Sequence, residues 1–211
     1  MNPLRAIADF APAGTESGVG LALQDNAGRY LFFLAGERHH CPPGELFYAG
    51  IGGHREAGES WPACARREAW EEIHAPIKII SAGATWHISP RGAARPVVVA
   101  DRPRPLALYQ MIHPPGTPNA GQPYRIVIYR AKLRGLPNHL PSDELAGVIA
   151  LTAGQVVRGP ERRSTLAQLL SEGAAIVAGG AGVPRQTRLY PIGTAMALAR
   201  ILRHPTSGGS E

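Results

Sequence analysis

The segments Gly53-His-Arg-Glu-Ala-Gly-Glu59 and Arg67-Glu-Ala-Trp-Glu-Glu72 decide the fold of this 211-residue chain. On a helix, Glu68, Glu71 and Glu72 stand at positions i, i+3 and i+4, so their side chains leave one face about one turn apart. Like charges at this spacing repel one another and mildly destabilise a helix. Carboxylate oxygens are, however, the ligands that hard divalent cations prefer. The simplest physical reason for such a stripe is therefore a site for hard divalent cations.

The alternative for these glutamates is a solvated acidic face, the commonest role of a charge run on a helix. A solvated face requires no fixed residues upstream of it. Here Gly53 precedes the pair Arg67-Glu68, and Glu59 lies between them in the same register. The whole pattern therefore favours a loop and a helix that act as one unit.

This register resembles the Nudix box, which runs Gly, five residues, Glu, seven residues, Arg-Glu, an aliphatic residue, any residue, Glu-Glu, any residue, Gly and an aliphatic residue. The chain departs from it at His74, where the family usually has a glycine that ends the helix in a left-handed conformation. Because His adopts that conformation at some cost, we expect a strained or differently closed turn. Ala69 and Ala75 are small for the aliphatic positions. The charged and glycine positions that match are Gly53, Glu59, Arg67, Glu68, Glu71 and Glu72.

The resemblance implies a hydrolase that cleaves pyrophosphate bonds of small nucleotides with bound Mg²⁺ or Mn²⁺. The metal ligands and catalytic carboxylates carry over to Glu68, Glu71 and Glu72. Relatives differ in the group that accepts the proton, which is a box glutamate in some and a carboxylate of a later loop in others. Glu144 is the candidate for that later carboxylate or for an additional metal ligand, and a solvated acidic turn is its equal alternative.

The loop before the helix contains two adjacent glycines. Gly52 and Gly53 allow close approach to a ligand and positive φ angles where needed, so Gly52 is a candidate substrate-binding residue. In the family, the loop glutamate and the box arginine brace the loop against the helix. These structural roles carry over to Glu59 and Arg67, together with Gly53.

The helix of the box has clear start and stop signals. Ser60 can accept a hydrogen bond at the N-terminus, and Pro62 is tolerated in the first turn, where N–H groups have no partner within the helix. Pro76 cannot continue the helix. These signals predict a helix from about residue 61 to residue 73.

The resemblance implies an α/β (α+β) fold, a Nudix-type α/β/α sandwich in which the box helix packs on a mixed β-sheet. Alternating and continuous apolar runs agree with it, and the run 126–129 predicts a strand that is buried on both faces. Thr152 should cap a short helix that ends near residue 157. The predicted strands are 18–24, 30–34, 77–80, 107–112, 124–133 and 148–151.

We interpret residues 1–211 as a single domain with its core at about 15–158, since 44% of the residues are apolar and no repeat or long linker interrupts them. Residues 159–205 are predicted to form a helical extension, and residues 206–211 a disordered tail. A helix over 194–202 has an apolar stripe that would pack on the core or on a second subunit, in a homodimer.

Composition excludes several classes of protein. No apolar run reaches membrane-spanning length, and the N-terminus lacks a basic-then-apolar signal pattern, so we expect a cytoplasmic protein that contacts no membrane. Two cysteines are too few for a disulfide framework. The net charge of +6 comes from dispersed arginines, and no recognisable nucleic-acid-binding motif accompanies it, which disfavours nucleic acid as a partner.

The sequence says less about the substrate. Arg91 and Arg95 lie in a Pro/Gly/Ala-rich segment and could contact substrate phosphates, although solvated loop residues are the equal alternative. Pro90 lies fifteen positions beyond Ala75, and the ADP-ribose and nucleotide-sugar branch of the family resembles this spacing. That branch is slightly favoured over a nucleoside triphosphate pyrophosphohydrolase. A non-catalytic Nudix-fold nucleotide-binding regulator is the alternative from another class, and the intact glutamates disfavour it.

Overall fold

The structure is a computed structural model that describes residues 5–113 and 119–204. Its helices are α1 Ile7–Phe10, α2 Trp61–Ile73, α3 Ala153–Arg158, α4 Leu166–Ser171 and α5 Gly193–Leu202. Its strands are β1 Ser17–Gln24, β2 Tyr30–Ala35, β3 Glu45–Ala49, β4 Ile77–Ile80, β5 Thr85–Ile88, β6 Ala94–Val97, β7 Ala107–Ile112, β8 Pro123–Leu133, β9 Leu145–Leu151, β10 Ala175–Gly179 and β11 Arg188–Pro191.

The strands form one mixed sheet in the order β10-β9-β2-β1-β8-β7-β5-β6, with β4 paired to β8 and β3 joining β2 to β11. The pairs β1–β8, β3–β11 and β5–β7 are parallel, and the other pairs are antiparallel. The β1–β8 pairing is the longest parallel ladder, with eight residue pairs. On its other side, the start of β1 lies beside the loop that precedes α2, where the Val19 N–H donates to the Gly53 carbonyl at 2.9 Å.

Helices cover both faces of the sheet, as the α/β/α prediction requires. Alternate residues of a strand point to opposite faces, so Phe32 and Ile128 pack in the cluster that contains α5, whereas Leu31 and Val127 pack in the cluster that contains α2. The strand around 126–129 is therefore buried on both faces, as its apolar run predicts.

The box helix forms as its sequence signals indicate. It runs from Trp61 to Ile73, and the Ser60 hydroxyl accepts a hydrogen bond from the Ala63 N–H at 3.3 Å. His74 adopts the left-handed conformation with φ of 49°, and its N–H donates to the Trp70 carbonyl. Histidine thus closes this helix in the conformation that glycine usually supplies in the family, at the cost of placing a Cβ in that region.

The prediction that residues 159–205 form a helical extension is incomplete, because this segment also contains strands. This segment contains α4 and α5, but also β10, which pairs with β9, and β11, which pairs with β3. Both strands are short, and their pairing partners lie far away along the sequence, so local patterns gave little sign of them. The predicted tail, residues 206–211, lies outside the described residues.

Helix α5 packs on the sheet of its own chain. Ala195, Leu198 and Ala199 are at most 1% exposed and belong to the cluster that includes Phe32. The apolar stripe of this helix therefore serves the core, which was the first of its two predicted uses. Among the described helices, none is both long and apolar enough to cross a membrane.

Replacement of Leu198 by alanine should lower the free energy of unfolding by about 2–5 kcal/mol, because it removes a 1%-exposed side chain and leaves a cavity. Urea denaturation followed by circular dichroism measures the change. The matched control is Val98→Ala, since Val98 is 84% exposed and should change the free energy by less than about 0.5 kcal/mol. Equal effects of the two substitutions would contradict the placement of α5 on the core.

Candidate active site

The loop before α2 approaches the helix so closely that one of its residues has no room for a side chain. A Cβ added at Gly53 would lie 2.4 Å from a carboxylate oxygen of Glu68. The neighbouring Gly52 has φ of 142°, and its N–H donates to the Glu72 carboxylate at 2.9 Å. The two glycines therefore hold the backbone directly against two of the box glutamates.

Arg67 joins this loop to the helix. Its Nε and one terminal nitrogen each lie 3.0 Å from the Glu59 carboxylate, and the same terminal nitrogen donates to the His54 carbonyl at 2.9 Å. The hydrogen bonds to Arg67 lower the pKa of Glu59. This geometry supports the bracing roles that the resemblance assigns to Glu59 and Arg67.

The other terminal nitrogen of Arg67 contacts two more carboxylates. It lies 2.8 Å from Glu68 and 2.8 Å from Glu71. Across the described ranges, no three His, Cys, Asp or Glu side chains converge so that they could hold a metal ion as they stand. Arg67 therefore supplies the positive charge that balances Glu68 and Glu71 in this conformation.

Glu72 has the most strongly perturbed carboxyl group of the site. The residue as a whole is half-buried, but protein surrounds its carboxylate, and this burial raises its pKa to about 8. The Gly52 N–H opposes the shift, while the charges of Glu68, Glu144 and Glu71 add to it. Burial also raises the pKa of Glu68, against the opposing effect of Arg67. The site thus brings several carboxyl groups together where water reaches them poorly.

Glu144 lies next to this cluster, although it is far away in the sequence. It immediately precedes β9, pairs with Arg38, and is close enough to Glu72 for its charge to raise the pKa of that group. The Gly36 N–H donates to the Glu144 carbonyl at 2.8 Å, which fixes this residue against the loop that follows β2. The structure therefore brings Glu144 together with the box glutamates.

The donor atoms, although not their arrangement in this conformation, suit a hard divalent cation. They are all carboxylate oxygens, which Mg²⁺ and Mn²⁺ prefer, and a cation would offset the burial and the neighbouring charges that raise the pKa of Glu72. Glu68, Glu71 and Glu72 lie within one turn of α2 and are the groups that would hold it. Glu71 is the most accessible of the three, with 56% of its side chain exposed.

Arg91 and Arg95 do not lie in this site. Both are exposed in the β5–β6 hairpin at the edge of the sheet, where Arg95 pairs with His87. Four strand spacings, or about 19 Å, separate β6 from β1. Within one chain, the predicted contact of these arginines with substrate phosphates beside the glutamates therefore has no structural support.

The structure also adds residues that the sequence did not indicate. A Cβ at Gly18 would lie 2.1 Å from the Tyr124 hydroxyl, so this tyrosine reaches the loop beside Gly53. The Glu16 carboxylate accepts hydrogen bonds near the same place from His54 at 3.4 Å and His113 at 3.2 Å. No spacing rule could find this group, because its members come from separate strands and loops.

Comparison with known families identifies the box. The sequence profile of the Nudix domain matches residues 14–169, about three quarters of the chain. The chain belongs to the Nudix family of hydrolases. Its mixed sheet with few helices agrees with the Nudix fold, and the family match ends within α4, before β10, β11 and α5.

Several solved structures resemble this Nudix chain at low identity. A Nudix hydrolase from Nitrosomonas europaea is 14% identical with a TM-score of 0.37, over 62% of this chain and 64% of that one. A MutT protein from Bacillus halodurans is 16% identical with a TM-score of 0.41, over 68% and 72%. A Nudix-family hydrolase from Clostridium perfringens is 13% identical with a TM-score of 0.45, over 67% and 83%. The comparison with curated proteins gives no match.

The raised pKa of Glu72 should make stability depend on pH when divalent metals are removed with a chelator. The pKa lies at about 8 in the folded chain and at 4.5 in the unfolded chain, so only the folded chain holds this proton between those values. The stabilisation is complete below pH 4.5 and is lost as pH rises through 8. In Glu72→Gln this loss is absent.

Urea denaturation of both proteins between pH 5 and pH 8 checks this expectation. The free energy of unfolding of wild type should fall relative to that of Glu72→Gln by up to about 1.4 kcal/mol per pH unit. Parallel curves for the two proteins would show that Glu72 titrates near its ordinary pKa.

Proposed function

We propose that this Nudix protein hydrolyses the pyrophosphate bond of a nucleoside diphosphate linked to a second group, with Mg²⁺ or Mn²⁺ held by Glu68, Glu71 and Glu72. The enclosed carboxylate of Glu72 carries the proposal. A carboxylate with a pKa raised to about 8, beside a second buried glutamate, destabilises the fold in its charged form unless a cation neutralises it. A bound cation would remove this destabilisation.

When bound, a divalent cation held by the three glutamates of α2 would neutralise phosphate oxygens and would make water a stronger nucleophile. Contacts within the chain support these roles for the glutamates. Gly52 orients the Glu72 carboxylate through its N–H, and Arg67 favours the charged form of Glu68. Because Gly53 has no Cβ, the Glu68 carboxylate can lie against its backbone, where a Cβ would come within 2.4 Å of it.

Two groups are candidates for the proton acceptor. Glu144 is held by Arg38 beside Glu72, and a box glutamate is the alternative. A general base contributes about 10²- to 10⁴-fold to a rate. We assign Glu144 this role first, because its loop places it outside the turn of α2 that carries the proposed metal ligands.

ADP-ribose or a nucleotide sugar is our first candidate substrate, on the basis of the position of Pro90. A nucleoside triphosphate pyrophosphohydrolase requires the same carboxylates and differs only in the substrate it accepts. A cytoplasmic enzyme that acts on small nucleotides agrees with the dispersed ion pairs of the surface arginines, such as Arg29 with Asp25 and Arg203 with Glu161.

A hydrolysis screen with Mg²⁺ tests the proposal. The compounds are ADP-ribose, nucleotide sugars, NADH, dinucleoside polyphosphates and nucleoside triphosphates, assayed with wild type and with Glu72→Gln. We expect turnover of at least one class and a loss of at least about 100-fold in kcat/KM for Glu72→Gln. Glu161→Gln is the matched control, because this glutamate is 72% exposed in a surface ion pair and should leave the rate unchanged.

The same screen separates the alternatives. Turnover of nucleoside triphosphates alone would identify a nucleoside triphosphate pyrophosphohydrolase. Binding of nucleotides without turnover of any compound would identify a non-catalytic regulator. Equal rates for wild type and Glu72→Gln would reject the assigned site. Glu144→Gln should lower kcat with little change in KM if Glu144 accepts the proton.

Gly53→Ala should lower the metal-dependent rate by at least about tenfold, because the new Cβ would lie 2.4 Å from the Glu68 carboxylate and displace it. The apparent affinity for Mn²⁺ should fall together with the rate. Gly83→Ala is the control, since a Cβ at Gly83 meets no described atom within 4 Å. An unchanged rate in Gly53→Ala would show that the loop is free to move away from the helix.

A further inference from the structure

Four aromatic side chains form a continuous group on the sheet face that also carries α2. His39 lies between Phe33 and Phe47, with ring centroids 6.3 Å and 5.0 Å away, and Phe47 contacts Tyr190 at 6.3 Å. Phe33 and Phe47 also meet edge to face at 6.0 Å. We call Phe33, His39, Phe47 and Tyr190 the aromatic platform.

The parallel pairing of β11 with β3 completes this platform. Tyr190 lies opposite Phe47 in the ladder, so both rings are on the same face of the sheet. The adjacent pair, Leu189 and Leu46, faces the other way and packs in the cluster of α5. Tyr190 lies beyond residue 169, where the match to the Nudix domain ends. One edge of the platform is therefore supplied by the segment that extends the family fold.

The hydrophobic core accounts for only part of this group, because Phe33 packs against the cluster of α2. All four rings are only partly buried, and Phe47 and Tyr190 belong to neither of the two buried clusters of the described residues. Grouped aromatic rings that remain partly exposed are typical of a surface that binds another molecule.

The platform lies beside the proposed catalytic site. Phe33 pairs with Ala49, which precedes Gly52 by three residues, and three extended residues span at most about 11 Å. Next to His39 in the sequence, Arg38 pairs with Glu144, and its N–H donates to the Asp143 carbonyl at 2.9 Å. A base on the platform and a pyrophosphate at the glutamates would be joined by the ribose and one phosphate of the same nucleotide.

The chemistry around the rings suits a flat polar heterocycle. The Arg163 guanidinium lies 5.1 Å from the centre of the Tyr190 ring, and guanidinium groups stack on bases as aromatic rings do. Arg38 lies at the His39 end.

We propose that the aromatic platform binds the nucleobase of the substrate and that β11, through Tyr190, contributes to base selection. This inference rests on the proposed function, because only a nucleotide whose pyrophosphate lies at the glutamates would extend to the platform. It assigns a role in substrate recognition to the segment after residue 169.

Isothermal titration calorimetry with nucleotides tests the platform without any turnover. The ligands are AMP, GMP, CMP and UMP, with ribose 5-phosphate as the compound that lacks a base, all in the presence of Mg²⁺. Wild type should bind at least one nucleotide about tenfold or more tightly than ribose 5-phosphate. Phe47→Leu and Tyr190→Leu should each weaken that nucleotide by about 10- to 100-fold and leave ribose 5-phosphate unchanged, while Tyr190→Phe retains the ring and the affinity.

Trp86→Leu is the matched control, because Trp86 is also a half-buried ring stacked on a histidine, His204, but packs against the cluster of α5. The proposal is overturned if no nucleotide binds better than ribose 5-phosphate, or if Trp86→Leu weakens binding as much as Phe47→Leu. A change of molar mass in light scattering for Phe47→Leu would identify a contact between two copies and overturn it equally. Base-dependent binding without hydrolysis of any compound would reject the proposed function alone.

Discussion

The contacts of a single guanidinium hold this site together. Arg67 lies within hydrogen-bonding distance of Glu59, Glu68 and Glu71, and also binds the carbonyl of His54. Without it, carboxylates from the loop and the helix would approach one another with no compensating charge, and the Gly53 backbone could not remain against Glu68. The loop and the helix are thus held together by one positive charge, which the loop carboxylate and the helix carboxylates share.

Local chemistry explains why much of this unit could be predicted. Ser60 and Pro76 define the ends of α2 through hydrogen bonding and backbone geometry that depend on near neighbours, and the buried strand around Val127 is visible as an apolar run. The strands β10 and β11 could not be found in this way, because their stability comes from β9 and β3, far away in the sequence. The position of Arg91 and Arg95 could not be predicted either, since only the strand order shows that they lie at a distant edge of the sheet.

The end of the family match at residue 169 separates the residues of the box from β10, β11 and α5. Residues within it supply the carboxylates, the arginine that joins loop to helix, and the glycine loop. The segment after it adds a strand next to β3 and a helix across the opposite face. The residues of the box therefore lie wholly within the family match, and β11 and α5 lie wholly after it.

The pairing of β11 with β3 also has a consequence for solubility. The β3 sequence Glu45-Leu-Phe-Tyr-Ala49 is almost wholly apolar, and β11 satisfies the main-chain groups on its outer side. A chain truncated after residue 169 would lack β11 and would leave the N–H and C=O groups of β3 unpaired. Such an exposed edge strand can pair with a strand of another molecule. In the folded chain β11 therefore protects β3 from self-association, whereas during synthesis the edge of β3 stays unpaired until the much later strand emerges from the ribosome.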